Sequence, residues 1–154
     1  MIKEFERYHG VVFARILHSS KCMVSLQPYP TPGNSSYVVN GNIGIYIKYS
    51  GKRMSPWRFS FTREHQEEIK QMRDQLGKVF VVFVCGTDGV VSLSYNELKS
   101  VLDDTHGDVE WVSISRSARK MYLIKGSDGK LPFKAGKRDF PQSLFDEGSG
   151  AIKV

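Results

Sequence analysis

The chain has 154 residues, 40% hydrophobic and 25% charged, and its 22 basic against 16 acidic side chains leave a net charge of +6. This balance fits one soluble domain with a buried core, and no apolar run approaches the roughly 20 residues that a bilayer-spanning helix needs. The first residues, Met1-Ile2-Lys3-Glu4-Phe5-Glu6-Arg7, carry acids and no apolar block, which argues against a secretory leader and makes the cytoplasm the expected compartment.

Ile2, Phe5, Tyr8, Val12, Phe13, Ile16 and Leu17 recur at helical spacing and predict a first amphipathic helix. The prolines of Pro28-Tyr29-Pro30-Thr31-Pro32 make residues 28–34 a loop. Tyr37-Val38-Val39, then Asn40-Gly41, then Ile43-Gly44-Ile45-Tyr46-Ile47-Lys48-Tyr49 predict two antiparallel strands joined by a tight turn. Trp57 to Phe61 alternates with period two and predicts another strand. A helix follows, capped by Thr62, with His65, Ile69, Met72 and Leu76 on one face and Gly77 as its stop.

The unbroken run Val79-Phe80-Val81-Val82-Phe83-Val84-Cys85 predicts a central strand buried on both faces. A turn through Asp88-Gly89 returns the chain along 90–93, and Ser94-Tyr95-Asn96-Glu97 forms a capping box that opens a short helix. Asp103 and Asp104 stand at the end of that helix, against its dipole. Late strands are expected over 110–115 and 120–125, with Ser127-Asp128-Gly129 as the turn into 130–133. Residues 1–140 therefore predict a single α/β domain with a central mixed sheet flanked by helices and a C-terminal β-hairpin. Residues 141–154 predict a flexible tail.

The surplus charge is localised. Arg116, Arg119, Lys120, Lys125, Lys130, Lys134, Lys137 and Arg138 face only Asp128 and Asp139 between residues 114 and 140, and the remaining fourteen bases and fourteen acids cancel. A cationic segment of this kind either meets a polyanion or forms a solvated hairpin. Lys52-Arg53-Met54-Ser55-Pro56-Trp57-Arg58 adds three cations beside a tryptophan. If Trp57 is exposed it offers a base-stacking platform; if not, it belongs to the core.

The four histidines have no metal-ligand spacing, and Cys22 and Cys85 lie too far apart in sequence for a metal clip, so they read as free or buried thiols. Glu64, Glu67 and Glu68 read as the solvated face of the long helix, and Asp88 as a turn residue. Neither a phosphate-binding glycine loop nor a serine nucleophile elbow is present.

The order of elements over residues 4–102, with Lys48 set in the 43–49 strand, resembles the restriction-endonuclease-like or PD-(D/E)XK nuclease fold. The stretch 69–93 is similar to the helix-strand-strand half of archaeal Holliday-junction resolvases. The resemblance implies a Mg2+ site built from an aspartate, a second acid two residues before the lysine, and often a glutamate on the first helix. Lys48 matches the lysine and Glu6 the helix glutamate. Ser36 falls where the aspartate is expected and Tyr46 replaces the second acid, so the implied scaffold is catalytically degenerate.

The expected function is DNA or RNA binding through Lys52, Arg53, Trp57, Arg58, Arg116, Arg119, Lys120, Lys137 and Arg138. Two alternatives stand beside it. One is a Mg2+-dependent phosphodiesterase with a rearranged site using Lys48 and Glu6. The other is an interaction module, such as a homodimer formed through the 79–93 strands and the Trp111 strand.

Overall fold

The computed structural model describes residues 1–103, 110–117, 119–132, 134–136 and 138–145. Its elements are α1 (Glu4–Ser19), β1 (Leu26–Pro28), β2 (Ser36–Val39), β3 (Ile43–Ser50), β4 (Trp57–Phe61), α2 (Arg63–Leu76), β5 (Val79–Cys85), β6 (Gly89–Ser94), α3 (Tyr95–Val101), β7 (Glu110–Ser115), β8 (Leu123–Gly126), β9 (Gly129–Lys130) and α4 (Gln142–Phe145). The molecule is mixed α/β, with a mixed central sheet and flanking helices.

The central sheet has the order β1-β2-β3-β5-β6. Strand β5 runs parallel to β3 and antiparallel to β6, and every one of its residues is buried. An apolar run with no polar break can only be satisfied between two covered faces. Asn40 and Gly41 adopt φ of 54° and 74°, as the tight turn between β2 and β3 requires. Thr62 accepts a hydrogen bond from the His65 N–H to open α2, and Gly77, at φ 78°, closes it.

Strands β4, β7, β8 and β9 form a second, antiparallel sheet rather than extending the first. Period-two alternation gives this sheet one apolar face. Trp57, Phe59 and Phe61 point one way with Val112, Ile114 and Ile124, and meet Tyr46, Val81, Phe83, Val91 and Leu93 from the central sheet in one apolar core. Ile69 and Met72 of α2 and Leu98 and Val101 of α3 complete that core. The opposite face of the central sheet carries Ile43, Ile45, Ile47, Val82 and Val84, which pack with Val12 and Ile16 of α1 and Leu144 of α4.

The β8–β9 hairpin lies directly on α3. A Cβ on Gly126 would sit 2.3 Å from the Val101 carbonyl oxygen, and one on Gly129 would sit 2.2 Å from that of Ser100. Main chain therefore touches main chain, which only glycine permits.

The tail expectation needs correcting at its start. Pro141 and Leu144 are buried, and the Ser143 hydroxyl is 2.6 Å from that of Ser92, so residues 141–145 are part of the packed body. Residues 146–154 lie outside the described residues, as do 104–109 (with Asp104 and His106) and Phe133. No helix among the described residues is long and apolar enough to cross a membrane.

Candidate functional site

The part of β3 where the resemblance implies a metal centre holds a different set of groups. Ser36 and Tyr46 are paired across β2 and β3, so their side chains share the face that meets α2. Tyr46 is hydrogen-bonded to Glu68, and burial raises the phenol well above its usual range. The Ser36 Oγ is buried without a partner. Lys48, two residues on, donates from Nζ to the Ser60 carbonyl at 2.6 Å and to His65 Nδ1 at 3.3 Å, and lies 5.0 Å from the centre of the Phe61 ring. His65 Nδ1 also accepts the Thr62 N–H at 3.3 Å, which fixes the neutral tautomer protonated on Nε2. Burial lowers the Lys48 pKa to about 8, and burial together with the Lys48 charge lowers that of His65.

These groups do not fit Mg2+ in the family manner. A phenol, a hydroxyl and an ammonium surround a single carboxylate that already serves Tyr46. Glu6 cannot supply the second, because it belongs to α1 on the opposite face of the central sheet. There its Oε1 accepts the Lys3 N–H at 2.8 Å and caps the helix. Lys48 and Glu6 are thus separated by the sheet, and the rearranged catalytic pair expected of them is not formed.

The expected binding residues divide into five groups. Trp57 is in the core, 2% exposed, with Nε1 donating to the Lys52 carbonyl at 2.9 Å. Its alternating strand faces it inward, so it offers no stacking surface. Arg116 donates two hydrogen bonds to the Asp88 carboxylate and acts as a clamp between the sheets. Arg138 stands at the far end of β5 and β6, in an open cleft of about 870 Å3 that Arg73, Lys78 and Tyr95 also line. Lys137 lies outside the described residues.

Lys52, Arg53, Arg58, Arg119 and Lys120 are exposed and gather at one end and one face of the second sheet. The segment before β4 meets the end of β7 where the Ser55 hydroxyl donates to the Arg116 carbonyl at 3.2 Å. Arg58 is directly opposite Ser113, Ser113 opposite Lys125, and Lys125 opposite Lys130. Direct antiparallel partners share a face, so Arg58, Lys125 and Lys130 form a row of exposed cations across the outer side of the sheet. The Arg58 guanidinium lies 4.3 Å from the centre of the half-buried Trp111 ring. Of the two outcomes open for Trp57 the core one holds, and the alternation of Glu110 (in) and Trp111 (out) is the sequence signal for the outward tryptophan.

A second constellation lies at the opposite end of β7. One carboxylate oxygen from each of Asp103, Glu110 and Asp128 falls within 4.8 Å of the others, a group able to hold a metal ion. Burial pushes the Glu110 carboxyl up, and the hydrogen bond it shares with Asp128 holds the Asp128 carboxyl down. From the sequence, Asp103 reads as a helix-end residue and Asp128 as a turn residue, with nothing to join them to Glu110.

Of the 79–93 strands named in the interaction-module alternative, β5 is internal and β6 is the edge strand of the central sheet. Val79 to Cys85 is wholly buried and presents nothing to a partner. The Cys85 thiol is buried and raised far above its usual range, hence unreactive, whereas Cys22 is exposed. No protein-family model matches the chain, and no curated protein or solved structure is significantly similar to it.

Proposed function

We propose that this protein binds nucleic acid, in single-stranded form, along the outer face of the β4-β7-β8-β9 sheet, on a scaffold resembling the restriction-endonuclease-like fold without its catalytic metal site. The observation that carries the reading is the row Arg58, Lys125 and Lys130 across three strands, with Trp111 beneath Arg58. Cations spaced across a flat sheet follow a phosphate backbone. An indole and a guanidinium stacked beside them give bases a flat surface without reading their identity. Lys52, Arg53, Arg119 and Lys120 extend the positive surface past the end of the sheet.

The test is fluorescence anisotropy with labelled oligo-dT, oligo-U and a duplex of equal length, over a salt series. The expected result is tighter binding to the single strands, with affinity falling steeply as salt rises. The Arg58→Glu, Lys125→Glu, Lys130→Glu triple variant is expected to bind far more weakly with a shallower salt slope. Equal affinity of the wild type and the triple variant overturns the reading. No binding at low salt, together with a concentration-dependent dimer in sedimentation, returns the interaction module to first place.

A further inference from the structure

The cleft that Arg138 shares with Arg73, Lys78 and Tyr95 lies across the end of the central sheet where β5 begins and β6 ends. Four stretches of chain wall it: the C-terminal turn of α2, the first residues of β5, the β6–α3 junction and residues 138–143. Its volume of about 870 Å3 falls within the roughly 300–1,000 Å3 of small-molecule sites. None of Arg58, Lys125 and Lys130 lines it, so it is separate from the cationic row.

Two of its cations are seated on aromatic rings. The Arg73 guanidinium stands 5.5 Å from the centre of the Tyr95 ring, and the Lys78 ammonium 5.7 Å from that of Phe80. Helical spacing brings Arg73 no acid, since its neighbours on α2 are Ile69, Lys70, Leu76 and Gly77. Arg73 and Arg138 make no ion pair among the described residues. A ring orients a guanidinium and leaves its charge and outer N–H donors in place, whereas a carboxylate would neutralise it. The two acids on the wall are engaged by main chain. Glu97 Oε1 accepts the Ser94 N–H at 2.8 Å and closes the cap of α3, and Asp139 Oδ2 accepts the Gly136 N–H at 2.7 Å.

We propose that this cleft binds a diphosphate group, with Arg73, Lys78 and Arg138 as its charge partners. Three cations from three separate stretches of chain suit an anion with several charged oxygens along its length. A lone carboxylate would engage only one of them. Arginine offers paired N–H donors to phosphate oxygens, and lysine a mobile point charge. Inorganic pyrophosphate and a nucleoside diphosphate share that chemistry, and the cleft has room for either. The inference is independent of the nucleic-acid reading, since none of its residues belongs to the cationic row.

The experiment is calorimetric titration of the full chain with sodium pyrophosphate, ADP and sodium sulfate at constant ionic strength, alongside thermal melts. Saturable one-to-one binding of pyrophosphate or ADP is expected, with sulfate far weaker. Tighter binding of ADP supports the site and assigns the nucleotide as the carrier; equal or weaker binding supports it with the free diphosphate. Arg138→Gln, at an exposed position, should weaken binding by roughly tenfold or more, and Arg73→Gln should do likewise. If Arg73→Gln fails to fold, Arg138→Gln and Lys78→Gln carry the test, with circular dichroism as the folding control. The Arg58→Glu, Lys125→Glu, Lys130→Glu triple variant should bind pyrophosphate as the wild type does. Neither heat nor a melting shift with pyrophosphate or ADP up to about 1 mM overturns the site. So does wild-type affinity in Arg138→Gln, or loss of binding in the triple variant. Sulfate bound as tightly as pyrophosphate overturns the choice of diphosphate.

Discussion

Arg116 holds Asp88 with two parallel hydrogen bonds, Nε to Oδ2 at 2.8 Å and Nη2 to Oδ1 at 2.6 Å, and the Tyr122 hydroxyl donates to the same Oδ2 at 2.7 Å. Asp88 sits in the β5–β6 turn of the central sheet, and Arg116 and Tyr122 flank the β7–β8 loop of the second. The trio therefore clamps sheet to sheet. Planar guanidinium against planar carboxylate is the pairing that lysine cannot reproduce. Tyr122→Phe should destabilise the fold by about 1 kcal/mol, and Arg116→Lys should lower the melting temperature. Arg119→Glu and Lys120→Glu should leave it unchanged. Denaturant titrations of the four variants check this, and an unaltered midpoint in Arg116→Lys would show that the clamp is not structural.

The two tryptophans should separate stability from binding. Trp57→Ala removes a ring that is 2% exposed, at a cost of about 3–5 kcal/mol. Trp111→Ala leaves the core in place and should weaken single-strand binding by about 1–3 kcal/mol. Urea unfolding and anisotropy on the same preparations read both. Unchanged affinity in Trp111→Ala would remove the stacking surface from the proposal.

Lys48 should behave as a buried cation and not as a catalytic one. Burial holds its pKa at about 8 against 10.5 for a free lysine. Between those values the unfolded chain binds more protons than the folded one, so the Lys48 contribution to stability rises with pH from about 8 to 10.5. Raised tyrosines oppose this at the alkaline end, so the quantity to measure is the difference between wild type and Lys48→Met. That difference should move toward the wild type as pH increases across the window. A pH-independent difference would mean that the ammonium is not desolvated.

His9 gives the acid counterpart. Its ring is 2% exposed, with Nδ1 2.8 Å from the Tyr37 hydroxyl, and burial depresses its pKa from 6.5 to about 4. The stability it allows is fully present above pH 6.5 and declines as pH falls toward 4, where the folded protein must accept a buried charge. The total is on the order of 3 kcal/mol. Thermal melts between pH 7 and 4 should show a steeper fall for the wild type than for His9→Gln, and parallel curves would contradict the assignment.

The elements were largely legible where one residue type dictates one conformation. Thr62 and Gly77 bound α2, Asn40-Gly41 turns β2 into β3, and the Val79 to Cys85 run has only one tolerable environment. Strand β1 has no sequence signature, because three residues ending in Pro28 carry no period. Division into two sheets was not legible, since Trp57 to Phe61 alternates identically in either sheet. Its true partner, β7, lies some fifty residues along the chain. The acidic group draws on three separate stretches of the chain, so no local spacing announces it. Its faint trace is Asp103 against a helix dipole.

Because Gly126 and Gly129 attach the hairpin to α3 through carbonyls and not side chains, its anchorage is indifferent to what the neighbouring residues display. Lys125 and Lys130 point away from that seam. The outer face can therefore be rewritten, in charge or in shape, with the sheet beneath it unmoved. Selection or an engineer could retarget this surface without renegotiating the fold.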